Sequence, residues 1–152
     1  RRAARDGDRQ IDTAHLLHAL VESDPGVRAA LGASRAARVL AYLVQRSIGY
    51  GLRWHGTVED SGAVTLTTGP APSLPPPVTP SADPPGWSPA ADAALEAALA
   101  RARTRGEPRA RPLDLLAGLA AAPDCRAAQV LSRAGVDRVR LAARIDHPSQ
   151  QV

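Results

Sequence analysis

The chain has 152 residues and a formal charge of +4, carried by nineteen arginines with no lysine, and it is long enough for one ordinary globular domain but too short for two large ones. Without lysine there is no phosphate-binding loop ending in Gly-Lys-Ser or Gly-Lys-Thr and no Schiff-base chemistry, and a single cysteine, Cys125, allows neither an intramolecular disulfide nor a cysteine zinc cluster. No apolar run approaches the length of a membrane span and no signal peptide is visible, so a reducing cytoplasm is the expected compartment.

The stretch Arg1-Arg2-Ala3-Ala4-Arg5 reads as the last turns of a helix stopped near Gly7, and because the chain opens on Arg1 with no Met it is expected to be a piece of something longer. Thr13 is the predicted N-cap of a helix running to about Glu22, with Leu16, Leu17 and Leu20 on one face and Ser23 to Gly26 ending it. Val27 to Leu31 form a short helix stopped at Gly32, and Ser34 caps a longer one carrying Val39, Leu40, Leu43 and Val44 at helical spacing. Thr57 to Thr67 places β-branched residues on both sides of Asp60-Ser61-Gly62, which predicts a small hairpin. From Gly69 to Gly86 there are eight prolines, the composition of an extended tether.

Beyond the tether Ser88 caps a helix with Pro89 in its first position, an apolar stripe of Leu95, Ala98, Leu99 and Ala102, and a stop at Gly106. Pro112 opens the next helix, with Leu115, Leu116 and Leu119 facing inward. Asp124 caps a third through Val130 and Leu131 to Gly135, and Asp137 a fourth with Val139, Ala142 and Ile145.

The layout is a duplication. Ile11-Asp12-Thr13-Ala14-His15-Leu16-Leu17-His18-Ala19-Leu20 returns about a hundred residues later as Ala110-Arg111-Pro112-Leu113-Asp114-Leu115-Leu116-Ala117-Gly118-Leu119, and Gly7 answers Gly106 at the same offset. The expected fold is all-α: residues 1–56 and 87–147 are two four-helix repeats, the first helix of the first being truncated, packed pseudo-symmetrically around a shared core. Residues 57–86 are the hairpin insertion and Pro-rich linker, and 148–152 a tail. Duplicated helical units make docking scaffolds more often than active sites.

Nothing in the sequence assembles a catalytic or cofactor constellation, so no enzyme activity and no cofactor are expected. His15 and His18 stand three apart on one helix but lack a third ligand at a credible spacing; His15 reads as a core or capping residue and His18 as solvated. Ser61 and Ser73 have no accompanying base, and Cys125 reads as structural. Nine Arg face five acids before Thr57 and ten face seven after Gly86, with only two Trp and two Tyr in the chain. That even interleaving disfavours a nucleic-acid surface, and the missing Phe, Met, Lys and Asn read as codon bias in a GC-rich genome. Trp87, at the junction of linker and second unit, is either a packing staple for the helix start or a partner anchor.

Trp87-Ser88-Pro89 through Gly106, Leu115-Leu116-Ala117-Gly118-Leu119, Ala127-Ala128-Gln129-Val130-Leu131 and Ala134-Gly135-Val136-Asp137 together resemble one repeat of the amino-terminal domain of Clp ATPases, which opens on an aromatic-Thr/Ser-Pro helix start and carries a Gly-Thr-Glu-His-(Ile/Leu)-Leu-Leu motif. Asp12-Thr13-Ala14-His15-Leu16-Leu17 stands at that motif in the first unit. The resemblance implies a helical double repeat that recruits substrates or adaptor proteins for an unfoldase and its peptidase, and a groove near Trp87, with Asp92 and Glu96 on the following helix, that takes cyclic peptide natural products. Thr13 and His15, the motif residues carried over to the first unit, join Trp87, Asp92 and Glu96 as the candidate partner-binding residues. The glutamates with which some members bind phosphoarginine are Ala14 and Leu113 here, and Pro112 and Asp114 replace the second Thr and His, so that mode of recognition is not expected. The long linker and degenerate motifs point to a stand-alone Clp-repeat protein of a GC-rich actinobacterium, either a docking module of protein quality control or a decoy that sequesters a cyclic peptide antibiotic.

Overall fold

The computed structural model describes residues 10–47, 59 and 86–147, which form seven α-helices and one two-stranded sheet. The helical stump before Gly7, the tail and, apart from Glu59 and Gly86, the hairpin and Pro-rich linker lie outside the described residues. The architecture is mostly helical, as the periodicity and capping signals predict.

Helix starts follow from local acceptors for the unpaired amides of the first turn. Helix α1 (Thr13–Ser23) is capped by Asp12, whose Oδ1 accepts from the His15 amide at 3.0 Å. The predicted cap, Thr13, is instead the first helical residue, because its hydroxyl is drawn to partners elsewhere in the fold. Asp24 closes α1 and caps α2 (Pro25–Leu31), accepting from Val27 N at 2.9 Å with Pro25 in the first position. Gly32, at φ 85°, then turns the chain directly into α3 (Ala33–Ser47), so α3 begins ahead of the predicted cap Ser34. Ser88 caps α4 (Pro89–Thr104) as predicted, accepting from Ala91 N at 3.1 Å. Helices α5 (Pro112–Ala121), α6 (Arg126–Arg133) and α7 (Arg138–Asp146) complete the chain, with Gly106 and Gly135 at positive φ where each stop requires it. Asp137 caps α7 as predicted, but α6 is capped by Cys125, whose Sγ accepts from Ala128 N at 3.3 Å, while the predicted cap Asp124 sits exposed at φ 55°.

One apolar cluster draws on both sides of the linker: Leu17, Val21, Val27, Leu31, Val39 and Leu43 before it, and Leu116, Leu119, Val130, Leu131 and Leu141 after it. Helix α1 packs on α4, α5 and α6, and α3 on α6. Several predicted inward residues point out, with Val44, Leu99 and Val139 exposed, the last by 80%. Leu99 yields its place because α4 buries a narrow alanine stripe, Ala90, Ala91, Ala94, Ala98 and Ala102. That stripe lies so close to α5 that a Cβ on Gly118 would stand 2.8 Å from the Ala94 carbonyl oxygen. Gly118→Ala is therefore expected to destabilise the protein by about 1–3 kcal/mol through overpacking, even though alanine is intrinsically the better helix former by about 1 kcal/mol. A urea midpoint that rises in the variant would show that the two helices separate freely.

The sheet is minimal: β1 (Gln10–Ile11) runs parallel to β2 (Gly86–Trp87), with Ile11 opposite Trp87. Neither dipeptide carries a strand pattern. They meet because α1 and α4, which follow them, pack together, and the Ser88 amide continues the pairing by donating to Ile11 O at 2.9 Å. No helix among the described residues is long and apolar enough to cross a membrane.

Candidate functional site

The starts of α1, α4 and α6 converge on one side chain, Glu59, which is 5% exposed. Its Oε2 accepts from the Thr13 amide and from the Ser88 hydroxyl, both at 2.8 Å, and its Oε1 accepts from the Arg126 amide at 2.7 Å and from the Thr13 hydroxyl. Each hydroxyl is oriented by a further amide: Ala127 N donates to Thr13 Oγ1 at 3.0 Å and Ala91 N to Ser88 Oγ at 3.1 Å. A carboxylate suits this place because helix N-termini present unpaired N–H groups and the positive ends of their dipoles. Beside it the Arg126 guanidinium, from α6, donates to Asp12 Oδ2 at 2.5 Å, an ion pair with both side chains buried. The junction between the two halves is thus polar, buried and fully built from the chain itself.

This placement sorts the residues singled out from the sequence. Thr13 and His15 are buried framework: Thr13 joins the Glu59 cluster, and His15 Nδ1 stands 3.2 Å from the Asp12 amide and 2.8 Å from Asp12 Oδ1 in a capping box. Asp114 performs the same task on α5, its Oδ2 accepting from the Arg111 amide at 2.8 Å. In both helices the third residue's side chain thus accepts from the N-cap amide, while only in α1 does the N-cap side chain, Asp12, also accept from the third residue's amide. Burial raises the Asp114 pKa, but bidentate hydrogen bonds from Arg105, at 2.7 and 2.5 Å, and the Arg111 amide hold it below the usual carboxylate range.

His18, expected in solvent, is buried, with Nε2 3.3 Å from Glu22 Oε1. It shares the inward face of α1 with Ala14, Leu17 and Val21, and helical spacing outweighs its polarity there. Cys125 is structural as expected: it is buried, and burial pushes its thiol pKa up. Among the described residues no three His, Cys, Asp or Glu side chains are grouped to hold a metal.

Trp87 differs from these. Its backbone is pinned between the β1 pairing and the Ser88 cap, yet its side chain remains 47% exposed. Asp92 and Glu96 are exposed on α4, one and two turns beyond Ser88. Glu59 and Arg126, which organise the junction, went unseen in the sequence: Glu59 directly precedes the Asp60-Ser61-Gly62 turn of the predicted hairpin, where nothing marks it for burial, and Arg126 is one of nineteen arginines.

Comparison with protein-family models, with curated proteins and with solved structures finds no match to this chain.

Proposed function

We propose that the chain is a non-enzymatic protein- or peptide-binding module of the Clp-repeat type, acting in protein quality control by docking substrates or adaptors. The observation that carries this reading is Trp87: an indole whose backbone is fixed on both sides and whose surface is left 47% exposed is arranged to meet a partner rather than to fill a core. Large aromatics of this kind dominate binding energy where they occur at interfaces. The shared closure of the two motif helices, through His15 in one and Asp114 in the other, supports a duplicated unit and with it the scaffold reading. Asp92 and Glu96 would flank the docked segment on α4.

The test is titration of the purified protein with a Clp unfoldase, its peptidase, its adaptors and an unfolded model substrate, read by isothermal titration calorimetry. Binding by one of them is expected, with affinity falling by at least about tenfold, or ~1.4 kcal/mol, in Trp87→Ala while the thermal midpoint hardly moves. The same exposed indole also suits a hydrophobic cyclic peptide, the decoy reading. Trp87-dependent binding of such a peptide, with no affinity for any of the proteins, would replace the first reading by the second.

A further inference from the structure

Trp87 lies at one end of α4; at the other, some 14–18 residues or about 21–27 Å along the helix, α4, the start of α5 and the last turns of α7 enclose an open groove of about 910 Å³. Its inner surface is aliphatic, with Leu141 buried and Leu113, Ile145 and Ala30 partly so. Five arginines line it against two aspartates, Asp114 and Asp146. Both aspartates are already held, Asp114 by Arg105 and Asp146 by Arg101. The outer cations are of another kind. Arg140 has its side chain 86% exposed, with Asp137 at 3.4 Å as its ion-pair partner among the described residues, and Arg144, one helical turn on, spends one nitrogen on the Ala30 carbonyl at 3.1 Å. Arg111 is exposed at the opposite edge, paired with Glu107.

An aliphatic surface edged by outward-facing guanidinium groups complements a chain segment with one apolar face and carboxylates beside it. Two arginines four residues apart on one helix match two carboxylates one turn apart on another. A polyphosphate ligand fits less well: no Trp or Tyr lines the groove for base stacking, and the inner arginines are matched to carboxylates that repel phosphate. We propose that this groove docks an acidic amphipathic helix of a partner protein, its apolar side chains on Leu113, Leu141 and Ile145 and its carboxylates on Arg140 and Arg144. This second surface does not depend on the Trp87 reading.

The probe is a fluorescein-labelled peptide of about 14 residues, built from Leu, Ala and Glu with leucines at helical spacing and glutamates one turn apart, read by anisotropy against the same peptide with Lys for Glu and against a single-stranded DNA of similar length. The Glu peptide is expected to bind in the micromolar range and to weaken as salt rises. Arg140→Glu/Arg144→Glu should raise its Kd by at least about tenfold and confer binding of the Lys peptide, with unchanged helicity, whereas Trp87→Ala should leave it unaltered. Arg140→Glu alone, which among the described residues disturbs the contact to Asp137, should give the same direction of change. Absence of Glu-peptide binding up to about 1 mM, indifference to charge reversal, or tighter binding of the DNA would each overturn the proposal.

Discussion

Arg126→Met is expected to destabilise the protein by about 3–5 kcal/mol, because it strands the Asp12 carboxylate, 0% exposed, without its guanidinium. The His15 amide still donates to Asp12, which places the expected loss toward the lower end of that range. Removing the charge together with its partner separates the two effects. Asp12→Asn/Arg126→Met keeps an N-cap acceptor and removes both charges of this pair, so the double variant should regain about 2 kcal/mol relative to Arg126→Met alone. Urea denaturation of the two singles and the double gives the coupling directly. A single-variant loss below about 1 kcal/mol would mean that water reaches the pair, since exposed ion pairs are worth no more than that.

Glu59→Gln is expected to cost about 2–4 kcal/mol, although the side chains are nearly the same size. The carboxylate offers two oxygens, and each accepts a backbone N–H from a different helix start, Thr13 on Oε2 and Arg126 on Oε1. Glutamine has one oxygen, so one of those amides must face an NH₂ group, and unlike a hydroxyl an amide cannot turn to accept. The buried donor left behind carries the cost. Because Ser88 is bound to the same carboxylate, the loss should reach its neighbour as well: in a Trp54→Phe background the Trp87 anisotropy should fall in Glu59→Gln. Equal stability of variant and parent would show that Glu59 does not sit between the helix starts in solution.

Local chemistry explains which parts of the fold were legible. Ser88 with Pro89, Asp137, and the glycines at 32, 106 and 135 act through atoms three or four residues away or through their own φ, so they read correctly in isolation. Asp12 against Thr13, and Cys125 against Asp124, misled by one residue because in each pair both side chains can accept from a helix amide. The choice between them is made elsewhere: Thr13 is engaged by Glu59 and by the Ala127 amide, which leaves Asp12 to close α1. His18 misled for another reason, since its polarity suggested solvent while its position on the Ala14, Leu17 and Val21 face required burial. The exposure of Leu99 and Val139 depends on which neighbour a helix finds, and the alanine stripe of α4 against Gly118 has no counterpart in hydrophobicity alone.

What the sequence by itself determined, then, is the succession of helices, most of their boundaries, the mostly helical class and the candidacy of Trp87. These rest on hydrogen bonds and periodicities that span a few residues. Only the tertiary structure decided the buried polar junction and the candidate surfaces. Asp12 and Arg126 meet across 114 residues, Glu59 reaches Arg126 across 67, and Arg144 reaches Ala30 across 114. The first two of these contacts are buried, and a buried charge is stable only when packing supplies its hydrogen-bond partners. Exposure of Trp87 and the arginine edge of the groove arise the same way, from which faces the shared core uses up and which it leaves.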